Sequence, residues 1–99
     1  MTEPTEDFRV GPMTLRVVRK EYVLADRIVG YRHWKYWAYG LEAIEMIRAF
    51  EGRLDEAGLR AYLRGEGSEH AFDLLRGLAH SGEPLTEQSL EAMWRAHYR

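Results

Sequence analysis

The most regular hydrophobic pattern of the chain lies in its aromatic middle segment. From about Trp34 to Phe50, apolar residues recur at the three- and four-residue spacing of a helix, with charged residues on the opposite side. Gly52 is placed to end that helix, and Gly40 weakens it by about 1 kcal/mol relative to alanine. The pattern therefore predicts one amphipathic helix over this segment. Its apolar positions are Tyr36, Trp37, Leu41, Ala43, Ile44, Met46, Ile47 and Phe50.

Three shorter helices are predicted after Gly52. The first covers residues 55–64 and ends at Gly65. The second begins after Ser68, which is a suitable N-cap, and carries an apolar stripe through residues 71–79. The third begins after Thr86, with Glu87 favourable in its first turn. The stretch "HSGEP" between the last two predicts a turn.

The first third of the chain has less regular patterns. Residues 1–7 contain Pro4 and show no periodicity, so we expect an N-terminal arm there and a single helical domain over residues 8–99. The stretch from Thr14, "TLRVVRKEYVL", fits a helix or a strand, and Pro12 just before it favours a helix start. A short β-wing is predicted near residues 23–32. The expected fold is mostly α, with four to five helices and this wing.

Composition limits the classes of protein that the chain can belong to. With 45% hydrophobic and 30% charged residues, it has the composition of an ordinary globular domain. The absence of cysteine excludes disulfides and thiolate metal sites. No apolar run approaches the roughly 18 residues of a membrane-spanning helix, and the acidic start is unlike a signal peptide. We therefore expect a cytoplasmic protein without membrane contact.

Charge is distributed unevenly along the chain. The net charge is −2, but residues 8–39 hold seven Lys and Arg residues against two acids. Residues 40–99 hold seven Arg residues against eleven acids. A basic first part gives an anionic partner a place to bind, although the chain as a whole repels it weakly.

Catalytic and cofactor motifs are absent from the sequence. No phosphate-binding glycine loop is present, because "GEGSEH" lacks both the spacing and the lysine of one. The four histidines form no pair at metal-ligand spacing on a helical face. No nucleophile with a neighbouring base can be assembled either. We expect a protein that is not an enzyme and binds no cofactor and no metal.

The basic first third predicts contacts to duplex DNA. If "TLRVVRKEY" is a helix, its three basic residues share one solvent-exposed face. An arginine fork donates two hydrogen bonds to guanine in the major groove, and a neighbouring basic wing would contact the phosphate backbone. The predicted DNA-binding residues are Arg16, Arg19, Lys20, Arg27, Tyr31 and Arg32.

Residues 10–34, "VGPMTLRVVRKEYVLADRIVGYRHW", resemble the middle of the DNA-binding domain of MerR-type transcriptional regulators. In that family a helix-turn-helix ends with T-L-R, and a wing carries an arginine shortly before G-Y-R and another aromatic residue. The run "LEAIEMIRAFEGRLDEAGLRAYL" is similar to the family's next two helices, so the resemblance spans about residues 10–64. It implies a winged helix-turn-helix regulator in which Arg16, Tyr31 and Arg32 contact DNA. The matching residues are Val10, Pro12, Thr14, Leu15, Arg16, Leu24, Arg27, Gly30, Tyr31, Arg32, Trp34, Leu41, Ile44, Ile47, Arg48, Gly52, Leu54 and Glu56.

The chain departs from that family in two regions. The complete first helix of the family is not evident before Val10. Gly77, Gly82 and Pro84 interrupt the region where the family has a long dimerisation helix. We still expect a dimer, because two half-sites are the usual way in which so small a DNA footprint gains specificity.

Protein binding is the alternative function of the aromatic segment. Trp, Tyr and Arg are the residues enriched at binding hot spots. The stretch "WKYWAYGLEAIE", followed by a glycine and an acidic helix, is similar to a helix in the small N-terminal part of nitrile hydratase β chains. This resemblance implies a non-catalytic helical subunit, and the chain would then be an interaction module in a homo-oligomer or a hetero-complex. The predicted interface residues are Trp34, Tyr36, Trp37 and Tyr39.

Overall fold

Helices form most of the structure. A computed structural model describes residues 5–10, 13–18 and 20–98, with side chains described from residue 20 to residue 98. Five helices lie in this last range, so the expectation of a mostly helical protein with four to five helices is confirmed. They are α1 (Lys20–Trp34), α2 (Trp37–Ala49), α3 (Glu56–Gly65), α4 (Glu69–Ala79) and α5 (Glu87–Tyr98).

Two strands precede the helices and correct the predictions for the first residues. Strand β1 (Thr5–Val10) pairs antiparallel with β2 (Met13–Val18), with Phe8 opposite Leu15. The sequence from Thr14 fits a helix or a strand, and the structure has the strand, which the β-branched residues at 14, 17 and 18 favour. Strand β1 also continues past the predicted end of the arm at residue 7, and residues 1–4 lie outside the described residues.

Helix α1 replaces the β-wing that the sequence predicts near residues 23–32. Residues 20–34 form a single helix, so the wing is wrong. Val23 and Val29 are β-branched and favour a strand locally. The fully buried side chains of Leu24, Ile28 and Tyr31 instead recur at helical spacing. Packing of this stripe against the other helices outweighs the local preference, as tertiary context commonly does.

The other helices lie close to their predicted positions, and one of the two predicted N-caps, Thr86, makes its cap hydrogen bond. Helix α3 begins one residue after Asp55, whose carboxylate accepts a hydrogen bond from the Gly58 N–H at 3.1 Å. Thr86 Oγ1 accepts from the Ser89 N–H at 3.2 Å before α5. Ser68 occupies the N-cap position of α4, but its side chain makes no cap hydrogen bond, so that part of the prediction is wrong.

A single hydrophobic core lies between the five helices. Helix α2 is central to it, because it packs against α1, α4 and α5. Helix α3 closes the core by packing against α1 and α4. The buried apolar side chains are Leu24, Ala25, Ile28, Tyr31, Ala43, Ile44, Ile47, Leu59, Leu63, Ala71, Phe72, Leu75, Ala79, Leu90 and Trp94.

Candidate functional site

Tyr31 is a core residue and not a DNA contact. Its side chain is fully buried, and its hydroxyl donates a hydrogen bond to the Leu90 carbonyl oxygen at 2.7 Å. Burial raises the pKa of Tyr31 well above the ordinary value of a phenol, with the neighbouring Tyr98 adding to the effect. The hydroxyl therefore stays protonated and joins α1 to α5. The prediction that Tyr31 contacts DNA is therefore wrong.

Two of the predicted DNA-binding cations are paired with carboxylates. The Arg27 guanidinium lies 2.6 Å from Asp26 Oδ2 and 2.6 Å from Glu42 Oε2. Lys20 Nζ lies 3.4 Å from Glu21 Oε2, and Glu21 is itself buried. These acids offset the positive charge that a phosphate would otherwise contact. Contact of Lys20 and Arg27 with DNA therefore stays a prediction that these ion pairs favour less.

The predicted basic patch is also divided between two sides of α1. Arg27 turns towards α2, where its guanidinium carbon lies 4.6 Å from the centre of the Tyr39 ring. Arg32 turns towards α5, with its guanidinium carbon 3.9 Å from the centre of the Tyr98 ring. The side chains of Arg16 and Arg19 lie outside the described residues, so their contact with DNA stays a prediction.

A sharp turn joins α1 to α2 and displays the aromatic segment. Only Lys35 and Tyr36 separate the two helices. Lys35 has φ +57°, in the left-handed region that glycine and asparagine adopt more readily than lysine. The Tyr36 N–H donates to the Gly30 carbonyl oxygen at 3.3 Å, which holds the turn against the last turns of α1.

The predicted interface residues divide into an exposed pair and a supporting pair. Trp34 is 66% exposed and Tyr36 is 51% exposed. Trp37 is half-buried, with ring centres 6.0 Å from Tyr31 and 6.1 Å from Trp94 in edge-to-face contacts. Tyr39 is also half-buried, and its ring makes an edge-to-face contact with Tyr36 at 5.2 Å.

Helix α5 adds residues that the sequence does not assign to the site. Trp94 Nε1 donates to the Arg32 carbonyl oxygen at 2.8 Å, which satisfies a backbone group at the end of α1. The Lys35 ammonium lies 4.9 Å from the centre of the Trp94 ring. The four-residue spacing of Leu90, Trp94 and Tyr98 is the signal that places these rings on one face of α5.

These side chains lie around the end of α1, the start of α2 and the part of α5 that packs beside them, and we call the set the junction surface. Edge-to-face aromatic contacts and cations over rings each contribute about 0.5–1.5 kcal/mol beyond the area they bury. The Trp37 and Trp94 rings are therefore held in place by their neighbours. The junction surface consists of Arg32, Trp34, Lys35, Tyr36, Trp37, Trp94 and Tyr98.

A cleft of about 250 Å³ lies between α2, α3 and α4 and is lined by polar side chains that contact one another. Glu51 lies 3.0 Å from His80 Nε2, and Glu56 contacts the Arg76 guanidinium. The polar groups that line the cleft therefore already contact one another. Among residues 20–98, no three His, Asp or Glu side chains are grouped as metal ligands.

Comparison with known proteins does not assign the chain to a family. No protein-family model, no curated protein and no solved structure matches it. No helix in residues 20–98 combines the length and apolar composition that crossing a bilayer requires. The function therefore has to be argued from the junction surface itself.

Proposed function

We propose that the chain is a non-catalytic interaction module that binds another protein through the junction surface. The observation that carries this proposal is the exposure of Trp34, at 66%, beside Tyr36, at 51%. Burial of a large aromatic side chain contributes a large share of the binding free energy, and Trp and Tyr are enriched at binding hot spots. The domain has its own complete core without them, since neither residue belongs to the buried cluster.

The rigidity of the turn supports the proposal. Trp34 and Tyr36 lie at the ends of two helices, and a hydrogen bond from Trp94 to the Arg32 carbonyl ties α1 to α5 beneath them. The Tyr36 N–H hydrogen bond to Gly30 fixes the other side of the turn. Binding loses free energy when mobile side chains and loops become ordered. Rings presented on a fixed turn lose less of it, which favours a binding role.

Duplex DNA is the competing partner class, and the charges favour it less. Within residues 20–98, Lys20 and Arg27 have acidic neighbours at ion-pair distance. Protein–DNA interfaces are much more positive than protein–protein interfaces, whereas this chain has a net charge of −2. DNA binding would then depend on Arg16, Arg19 and Arg32.

Site-specific photo-cross-linking tests the proposed function. Tyr36 is replaced by p-benzoylphenylalanine, and the variant is irradiated in a lysate of the source organism. The matched control carries the same group at Ala57, an exposed position on α3. We expect one cross-linked protein from position 36 and none from position 57. Adding Trp34→Ala to the Tyr36 variant should reduce the cross-linked yield at least tenfold, which corresponds to about 1.4 kcal/mol of binding free energy.

Three results would contradict the proposal that the chain binds another protein through the junction surface. Equal cross-linking from positions 36 and 57 would show that capture is non-specific. Cross-linking to nucleic acid in place of protein would favour the DNA hypothesis. If Trp34→Ala leaves the yield of the cross-linked protein unchanged, Trp34 does not contribute to the interface. Because Trp34 is largely exposed, its replacement should leave the melting temperature within about 2 °C, which separates lost binding from lost folding.

A further inference from the structure

The two cations of the junction surface, Arg32 and Lys35, each lie over an aromatic ring, and neither contacts a carboxylate within residues 20–98. Most arginines away from this surface contact a carboxylate, as Arg60 does with Asp73 at 2.7 Å. Arg48 and Arg53 instead donate to backbone carbonyl oxygens. The remaining ion-paired arginines are Arg27 with Asp26 and Glu42, Arg64 with Glu69, Arg76 with Glu56, and Arg95 with Glu91.

Arg32 is held against a ring and lacks a carboxylate partner among the described residues. Its guanidinium carbon lies 3.9 Å from the centre of the Tyr98 ring. Its Nε atom is buried and makes no hydrogen bond. A guanidinium has five N–H donors, and a ring face accepts charge but leaves most of those donors without an acceptor. Arg32 therefore retains both its positive charge and its capacity to donate.

Lys35 occupies a backbone conformation that lysine does not favour. A left-handed conformation costs an L-residue on the order of 1–2 kcal/mol relative to the right-handed one, and glycine avoids that cost. The lysine side chain here makes no ion pair within residues 20–98 and lies over Trp94 at 4.9 Å. Local strain at an exposed position is a reason to look for a function of the side chain. The function that fits is contact with an anion outside the chain.

We infer that the protein partner presents an acidic segment to the junction surface. The inference rests on the proposed function and names the chemistry of its partner. Carboxylates of the segment contact Arg32 and Lys35, and its apolar side chains pack on Trp34 and Tyr36. Charge complementarity carries the argument, because within residues 20–98 neither cation contacts a carboxylate and both lie over aromatic rings. Two cations suit a short acidic segment better than a nucleic acid, which needs many phosphate contacts.

Synthetic peptides of about twelve residues test the inference on the full chain. Three peptides share alternating leucines and carry Asp, Asn or Lys at the other positions. Binding is followed by tryptophan fluorescence and by the NMR signals of the indole N–H groups. We expect the Asp peptide to bind at least tenfold more tightly than the Asn peptide, the Lys peptide not to bind, and the affinity to fall as salt rises.

Charge variants place the binding on the junction surface. Lys35→Glu should weaken binding of the Asp peptide at least tenfold, and Lys35→Gln should weaken it less. Arg53→Glu is the matched control, because Arg53 is exposed and follows the far end of α2, about 20 Å of helix from the junction. It should leave the affinity unchanged within about twofold.

The outcomes distinguish a failed inference from a failed function. If the Asp and Asn peptides bind with equal affinity and Trp34→Ala abolishes the binding of both, the inference of an acidic partner is wrong while the proposed interface stands. If Trp34→Ala leaves peptide affinity unchanged, the junction surface is not the binding face and both fail. Tighter binding of a twenty-base-pair duplex than of the Asp peptide overturns the inference in favour of nucleic acid. No binding of the Asp peptide at millimolar concentration, or self-association of the chain in its place, also overturns it.

Discussion

Tyr31→Ala should lower the free energy of unfolding by about 3–5 kcal/mol, the range observed when large buried aromatic side chains are truncated to alanine. The Tyr31 ring is fully buried and packs edge-to-face on Trp37. Its hydroxyl donates to the Leu90 carbonyl oxygen, so the substitution removes packing and a buried hydrogen bond together. Urea unfolding followed by circular dichroism measures the change.

Tyr31→Phe is the control that separates the ring from the hydroxyl. It should cost only about 1–2 kcal/mol, because the packing remains. Burial raises the pKa of Tyr31, so the folded protein holds the phenolic proton more tightly than the unfolded chain does. The resulting stability is present below about pH 10, the ordinary phenol pKa, and is lost as the pH rises above it. The Phe variant should lose less stability above pH 10. A loss below 1 kcal/mol for Tyr31→Ala would contradict the buried placement.

Gly40→Val should lower the free energy of unfolding by about 1–3 kcal/mol. Gly40 lies on α2 and faces Leu90 of α5 and Tyr31 of α1. A Cβ atom at this position would lie 2.7 Å from Leu90 Cδ1 and 2.9 Å from Tyr31 Cδ1, which is closer than van der Waals contact allows. The valine would therefore force Leu90 and Tyr31 apart, and the same urea titration measures the cost.

Gly77→Ala is the matched control for Gly40→Val. Gly77 lies inside α4, and a Cβ atom there would meet nothing within 4 Å. Because alanine favours a helix over glycine, this variant should gain about 0.5–1 kcal/mol. An equal loss from both variants would show that helix content, and not close packing, determines the effect at Gly40.

The helices after residue 36 could be predicted because their patterns are strong and local. The pattern predicts a helix over residues 55–64, and α3 covers Glu56–Gly65. Helix α1 could not be predicted in the same way. Its buried face includes Glu21 and Gly30 beside the apolar stripe, so its hydropathy is not clearly amphipathic. Residues with β-branched side chains at 23 and 29 then favoured a wing.

The membership of the site depends on which side chains of α1 face the core and which face solvent. The sequence predicts a wing over these residues and therefore gives a different exposed set. Read as a wing, the G-Y-R stretch exposes Tyr31 and aligns Arg27 with Arg32. As a helix, it buries Tyr31 and sends the two arginines towards α2 and α5. The exposure of Trp34 and Tyr36 follows from the turn at Lys35, and no residue preference predicts a lysine with positive φ.

Fluorine NMR of the chain labelled with 5-fluorotryptophan tests most directly whether the junction surface is the binding face. The three tryptophans give three signals, and Trp34→Phe identifies the exposed one. With the partner captured from position 36 added in equal amount, the Trp34 signal should shift and lose its sensitivity to exchange of H₂O for D₂O. The Trp94 signal should change little, because only 8% of that residue is exposed before binding. A stoichiometric complex in which the Trp34 signal keeps its position and its solvent sensitivity would contradict the account.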